Sequence, residues 1–447
     1  MYSCYPTGVT IYDPDKCWNG FTLLDIRSDE GTPLLDMNGT VVKFWDGISG
    51  YPPRVLPGGQ LIGSTGLRSG NWQDQIDIVQ VDWDGNTVWE FNRWEEVGGI
   101  EGETQWMARQ HHDWQREGSP AGYYAPGQEP KVNGGNTIVL AHSNLSNPDI
   151  HEKPLHDNVI YEVTWDGEII WTWFTADHFH EMGFDDAAKT AIGKLPPERG
   201  PGYVDWHHAN ALSVLGPNSW FDAGDQRFHP ENMMISSRMA NIINIISKET
   251  GNLVWQLGPD FSKTPALKAL GWIIGQHHPH MIPKGLPGEG NILIFDNGGA
   301  SGYGQPSINS PDGINNVYRV GSRIIEFNPV TLEKVWEYSP EVLNYFFFKT
   351  YNFFSPYISG AQRLANGNTL ITMGADGRVI EVTPDLEIVW EYVSPYMSRP
   401  VQKGTQAYCS VYRAYRIPYE WIPQLNKPVE RAVTPIPNSK FRVSVKK

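Results

Sequence analysis

Asp84-Gly85-Asn86-Thr87-Val88-Trp89 is a turn followed by a β-rich run, with a tryptophan four residues after the turn glycine. An Asp-Gly pair between alternating apolar runs is a strong short-range signal of a tight hairpin, because glycine accepts the positive φ such turns demand. The pattern returns in Asp166-Gly167-Glu168-Ile169-Ile170-Trp171 and in Thr250-Gly251-Asn252-Leu253-Val254-Trp255. Leu332-Glu333-Lys334-Val335-Trp336 and Leu386-Glu387-Ile388-Val389-Trp390 lack the glycine and keep the tryptophan. Asn38-Gly39-Thr40-Val41-Val42-Lys43 reads as the first copy, with Lys43 in the tryptophan position and Trp45 close by.

Between these hairpins lie complementary runs such as Gly135-Asn136-Thr137-Ile138-Val139-Leu140, Gly290-Asn291-Ile292-Leu293-Ile294-Phe295 and Gly367-Asn368-Thr369-Leu370-Ile371. Each unit therefore reads as four antiparallel strands, and six units predict an all-β, six-bladed β-propeller spanning 1–447 as one domain. The repeated tryptophans are expected to pack between neighbouring blades. The first unit, at Gly20–Asp25, has no inner strand before it, and Ser410–Arg416 can supply one. Pairing N- and C-terminal strands in one blade removes the exposed edges of an open array. Repeat spacing is uneven and places insertions near 143–158, 175–204 and 298–317, with a short helix expected at Asp185–Lys194 and an irregular tail from about Pro418. Long insertions on a rigid scaffold commonly cover a site.

Composition narrows the function classes. A formal net charge of −15 argues against a nucleic-acid or anionic-membrane partner, since both need a basic footprint. Three cysteines without a CxxC spacing fit a reducing compartment. The first residues lack a basic, then apolar, leader pattern, so the expected location is cytoplasmic, or periplasmic if a signal peptide has been removed.

The histidines are not scattered. Gly275-Gln276-His277-His278-Pro279-His280, His207-His208-Ala209-Asn210 and His111-His112-Asp113 each open a repeat unit. His208 stands eight residues before Gly216 and His277 eight before Gly285, as Tyr51 does before Gly59 and Ser359 before Gly367. Equivalent strand starts thus carry histidine in three blades. His142, His151, His156, His178, His180 and His229 read as hydrogen-bonded or solvent-facing residues; His178 and His180 are the exceptions that an insertion could bring over the site. The aromatic run Tyr345–Phe348 reads as core or lid, or as an apolar wall for an aromatic substrate.

The ordered series His-His-Asp, Trp-x-His-x-Asn, Ser236-Ser237-Arg238, then Gln276-His277 before Gly290-Asn291-Ile292-Leu293-Ile294-Phe295-Asp296-Asn297-Gly298 resembles the bacterial arylsulfotransferase family. Pro6–Tyr12 and Val411–Trp421 are similar to it too, so the resemblance covers nearly the whole chain. It implies sulfuryl transfer from a phenolic sulfate ester to a phenol, with a small aromatic substrate, no cofactor and a covalent histidine intermediate. By motif match His277 is the nucleophile, His208, His112 and Arg238 complete the catalytic set, and Asn210, Arg238 and His111 bind substrate. Residue chemistry agrees. Neutral imidazole is a good nucleophile near neutral pH, and guanidinium offers a donor fork for sulfate oxygens. The chain departs from the family where His278 replaces the acid of Gln-His-Asp and where Met239 replaces a frequent histidine.

A second reading stays open. His111, His207, His278 and His280 could ligate a divalent transition metal in a hydrolase or lyase. Alternation opposes this, because it turns His278 away from His277 and is expected to turn it out of the channel. A non-catalytic binding propeller is a third.

Overall fold

The computed structural model describes residues 6–68, 71–98, 104–343, 351–399 and 407–435. It is a six-bladed β-propeller. Blade 2 is built from Ser49–Leu56, Gln60–Ser64, Ile78–Val81 and Thr87–Phe91, and blade 3 from Gln110–Arg116, Thr137–Leu145, Leu155–Val163 and Ile169–Phe174. Blade 4 is Ala209–Val214, Met233–Ser237, Ile242–Ile246 and Leu253–Leu257. Blade 5 takes His277–Met281, Ile292–Asp296, Arg323–Phe327 and Lys334–Tyr338. In each blade the first strand is innermost, and all pairings are antiparallel.

Both chain ends close the ring. Ala414–Ile417 is the inner strand of blade 1 and pairs with Phe21–Leu24, followed by Gly31–Leu35 and Val41–Asp46. This strand begins later than the Ser410 start read from the sequence, because Ser410–Arg413 instead pack against the loop at Asp25. Blade 6 holds Gly360–Arg363, Thr369–Met373, Arg378–Val382 and Ile388–Val393, and differs from the four-stranded expectation. Gly8–Tyr12 adds a fifth, outer strand, registered Gly8 to Val393 and Tyr12 to Trp390. The N-terminal segment thereby covers an edge that would otherwise expose unpaired backbone groups.

The tryptophans explain how the blades hold together. Each donates its indole N–H to a carbonyl at the outer turn of the next blade: Trp45 to Asp82, Trp89 to Trp165, Trp173 to Gly251, Trp255 to Pro329, Trp336 to Pro384 and Trp390 to Met37. The last of these returns to blade 1, so the bonds form a closed ring. In blades 1 and 3 the bonding residue is Trp45 and Trp173, not the Lys43 and Trp171 positions counted from the turn. Residues two apart on a strand share a face, so the indole reaches the same gap from one pleat further along. Apolar side chains fill the spaces between sheets, for example Leu212, Ile235 and Ile246 of blade 4 against Leu140 and Ile160 of blade 3.

Three insertions rise from this frame. Thr137–Leu145 and Leu155–Val163 continue as one long hairpin; Thr175–Met182 is 3₁₀ and Asp186–Ile192 a short helix capped by Asp185; Gly299–Tyr303 and Ile314–Arg319 form a separate hairpin. The Tyr345–Phe348 run lies outside the described residues. Cys17 and Cys409 are free thiols, and no described helix is long and apolar enough to cross a membrane.

Candidate active site

Strict alternation fails where the inner strands of blades 3, 4 and 5 begin. His112, His208 and His278 adopt left-handed backbone, with φ of 56°, 49° and 52°, and the ladder slips between Gln110 and Trp114, Ala209 and Ala211, and His277 and His280. Left-handed φ is uncommon outside glycine and costs free energy that the surrounding structure must offset. These bends gather histidines from neighbouring blades: the His112 and His208 ring centroids are 5.0 Å apart.

His277 is held by its Nδ1 side. That nitrogen donates to Oδ1 of Asn297 at 2.8 Å and lies 3.1 Å from the Gly275 carbonyl. The orientation of the Asn297 amide is settled by its own nitrogen, which donates to the carbonyls of Ser355 (2.7 Å) and Ile358 (2.8 Å). Both neighbours of Nδ1 are therefore acceptors, so Nδ1 carries the proton and Nε2 keeps its lone pair. Burial, then the charge of Arg238, pushes the His277 imidazole well below its ordinary pKa, which keeps the ring neutral.

His208 has a carboxylate partner that sequence reading missed. Its Nδ1 donates to Oδ2 of Asp205 at 2.7 Å, and Arg199 bonds the same oxygen at 2.8 Å. Burial alone would raise the Asp205 carboxyl, but His208 and Arg199 outweigh it and hold the group well below the usual carboxylate range. A DWHHAN stretch, with an acid three residues before His208, was the available signal.

His112 sits between Tyr51, whose hydroxyl is 3.3 Å from its Nε2, and His111, whose Nδ1 is 2.8 Å from its own Nδ1. Burial, then His111 and His208, lowers its pKa well below the usual value. His111 lies between His112 and His142. Its ring stacks on His142 at 3.6 Å, and His142 lies tilted against His156 at 3.8 Å. Those two histidines, read as isolated, thus form a buried column leading away from the site. His178 stacks on Trp173 and His180 pairs with Asp149, so neither caps it.

Arg238 has no carboxylate partner among the described residues: its guanidinium lies 3.6 Å from Met239 Sδ and 3.5 Å from the Pro356 carbonyl. The Asn210 amide is partly committed, donating to the Gln276 carbonyl at 2.6 Å while its Oδ1 is buried without a partner among the described residues. The floor is ionic. Asp113 is bound by Arg54 (2.5 Å) and Arg413 (2.7 Å), and Arg413 crosses to the Asn210 carbonyl at 3.1 Å. Arg416, by contrast, stays in the blade packing, 2.9 Å from Glu381. Around the rim, Asn71 accepts from Gly200 N and Tyr303 donates to the Trp206 carbonyl, so insertions from different blades meet there.

His278 packs with His280 at 4.6 Å and near Tyr415 of blade 1 at 6.2 Å, and among the described residues its ring makes no contact with the His277, His112 or His208 rings. The bend at φ 52° gives it different neighbours from His277. His207 lies apart against Trp206, its ring nitrogens buried without partners among the described residues. The alternative ligands His111, His207, His278 and His280 are therefore divided among separate places. The one group of three metal-ligating side chains among the described residues is Asp74, His142 and His156. Arg109 already occupies it, 2.7 Å from Asp74 and 3.3 Å from His156, so a guanidinium stands where a cation would.

Solved structures similar to this chain share low identity. They include a protein of unknown function from Bacteroides caccae (10% identity, 89% of this chain and 99% of that one, TM-score 0.45). A virginiamycin B lyase from Staphylococcus aureus also matches (11%, 88% and 85%, TM-score 0.33), as does Saccharomyces cerevisiae Sqt1 (9%, 92% and 99%, TM-score 0.36). No curated protein matches the chain. The arylsulfotransferase family matches residues 129–389, a span that includes Asp205, His208, Asn210, Arg238, His277 and Asn297. With well over half of its length matched, the chain belongs to the arylsulfotransferase family.

Proposed function

We propose that the protein moves a sulfuryl group from a phenolic sulfate ester to a phenolic acceptor through a sulfo-histidine on His277. One observation carries this reading: Asn297 fixes the Nδ1–H tautomer of His277, leaving a neutral, unprotonated Nε2. Nε2 forms the N–S bond as the S–O bond to the aryl group breaks. The resulting sulfo-imidazole bears positive charge that the Asn297 and Gly275 oxygens stabilise through Nδ1–H. Arg238, free of any carboxylate among the described residues, is suited to the sulfuryl oxygens.

The departing phenolate needs a proton, and His208 is the group we assign to it. Asp205 fixes its ring through Nδ1, as a carboxylate does for an acid–base histidine. In the second half-reaction neutral His208 takes the acceptor phenol's proton, the new phenoxide attacks sulfur, and the N–S bond breaks. His112 and Tyr51 line the same space and can donate hydrogen bonds to an ester oxygen.

The test is transfer from an aryl sulfate with and without a phenol acceptor. Wild type should release phenol faster with acceptor and form the new ester, and His277→Ala should do neither while melting cooperatively. Equal activity of His277→Ala and wild type would remove the proposal.

A further inference from the structure

Arg27 makes no ion pair among the described residues. Among the described residues its fully buried Nη1 meets no hydrogen-bond partner, and no carboxylate lies within ion-pair distance of the guanidinium. The backbone explains where it points. Arg27 has left-handed φ of 52°, its N–H donates to Oδ1 of Asp25 (3.0 Å), and its carbonyl accepts from Arg399 N (3.0 Å). The Asp25 carbonyl in turn accepts from Tyr412 N at 2.8 Å, which fastens this loop beside the Tyr412 ring. That ring packs on Tyr51 at 4.3 Å, and Tyr51 reaches His112.

Arg27 is thus fixed on the aromatic side of the candidate site, among Tyr51, Tyr357 and Tyr408. The last two hydroxyls bond each other, and Tyr51 is also an electrostatic neighbour of Arg238. Asp25, the acid nearest in sequence, is a poor counterion: burial pushes its carboxyl up to about 7, and its Oδ2 has no partner among the described residues. A guanidinium nitrogen buried without a partner is costly, and a ligand anion can offset that cost. Arg238 faces the same situation, so two arginines without carboxylate partners flank Tyr51.

We propose that Arg27 is a second anion-binding residue of this site, holding a carboxylate on the aromatic substrate and so selecting acidic phenols. This rests on the sulfuryl-transfer reading, in which Arg238 takes the sulfuryl group and the aromatic ring lies over Tyr51. The guanidinium fork would accept the carboxylate, and the tyrosine rings would enclose the phenyl ring.

The test measures binding of meta- and para-hydroxybenzoate against the matching cresols by calorimetry, in wild type, Arg27→Gln and Arg27→Lys. Wild type should bind a hydroxybenzoate at least about tenfold more tightly than its cresol, as a charge-assisted bidentate contact provides. Arg27→Gln should lose that preference with cresol binding within about threefold of wild type, and Arg27→Lys should keep part of it. Equal binding of both ligands by wild type overturns the proposal without any variant, as does an equal loss of both in Arg27→Gln. Turnover of phenyl sulfate onto a cresol separates the two claims. Transfer without the carboxylate preference removes the role of Arg27 alone; the preference without transfer removes the transferase reading and leaves the anion site.

Discussion

Asn297→Ala is the perturbation that most exposes how His277 is prepared. The substitution removes one acceptor from Nδ1 and two donations to main-chain carbonyls. The Ile358 carbonyl loses the side-chain donor it has here, whereas Ser355 O keeps a 3.5 Å contact with Ser322 Oγ. An unsatisfied buried carbonyl costs about 1–3 kcal/mol, so the loss at Ile358 should cost about that much in a denaturant titration. The Gly275 carbonyl at 3.1 Å still favours the same tautomer, so the catalytic loss is that of orientation and of one charge-stabilising acceptor. That corresponds to a fall of about 10²-fold in kcat. KM for the aryl sulfate should change little, because Arg238 and His208 are untouched. The assay is steady-state turnover of a chromogenic aryl sulfate beside the melting curve. A folded Asn297→Ala protein with wild-type kcat would refute the argument that this amide sets the nucleophile.

Other outcomes follow from the same geometry. Asp205→Asn should lower kcat by about 10²-fold, because His208 loses the carboxylate that orients its ring. The Asp205 carboxyl has a folded pKa below its unfolded one, so its stabilisation is present above about pH 4 and lost as pH falls through the lower folded value. The stability gap between wild type and Asp205→Asn, followed by pH-dependent denaturation, should therefore close in acid. The acid limb of kcat/KM that reports protonation of His277 should lie below the ordinary imidazole value of about 6.5, since burial and Arg238 keep the ring neutral. Trp390→Ala should cost about 3–5 kcal/mol, read by denaturant unfolding, because a fully buried indole and its bond across the ring closure are both lost. His278→Ala should keep turnover within about tenfold of wild type, because its ring packs on His280 and Tyr415 and not on His277, Asn297 or Arg238.

The propeller was legible because its signals are local: Asp-Gly turns, alternation and a tryptophan at fixed spacing each follow from a few adjacent residues. The closing strand at Ala414–Ile417 could be read from what the first unit lacked. The fifth strand at Gly8–Tyr12 could not, because nothing in blade 6 calls for another member. Around the candidate site, counting from glycines placed the histidines at strand starts but assumed alternation through them. Left-handed backbone at His112, His208 and His278 breaks that assumption, so the direction of each ring has to be taken from its contacts. Asp205, Asn297 and Arg27 were missed for different reasons. Asp205 stands only three residues before His208, but histidine spacing alone gives it no role. Asn297 directly follows the strand paired with His277–Met281, and its bond to His277 appears only in the folded hairpin. Arg27 is far in sequence, and the closed ring brings it near.

The central claim is a covalent intermediate at one named atom, and rapid quench followed by peptide mass mapping tests it most directly. Wild type mixed with an aryl sulfate in the absence of acceptor, then quenched in alkali, should carry one SO₃ group on the peptide containing His277. Addition of a phenol before the quench should discharge it, and Asn297→Ala should accumulate it more slowly. A sulfated residue other than His277, or continuing turnover with no sulfated peptide, would contradict the account.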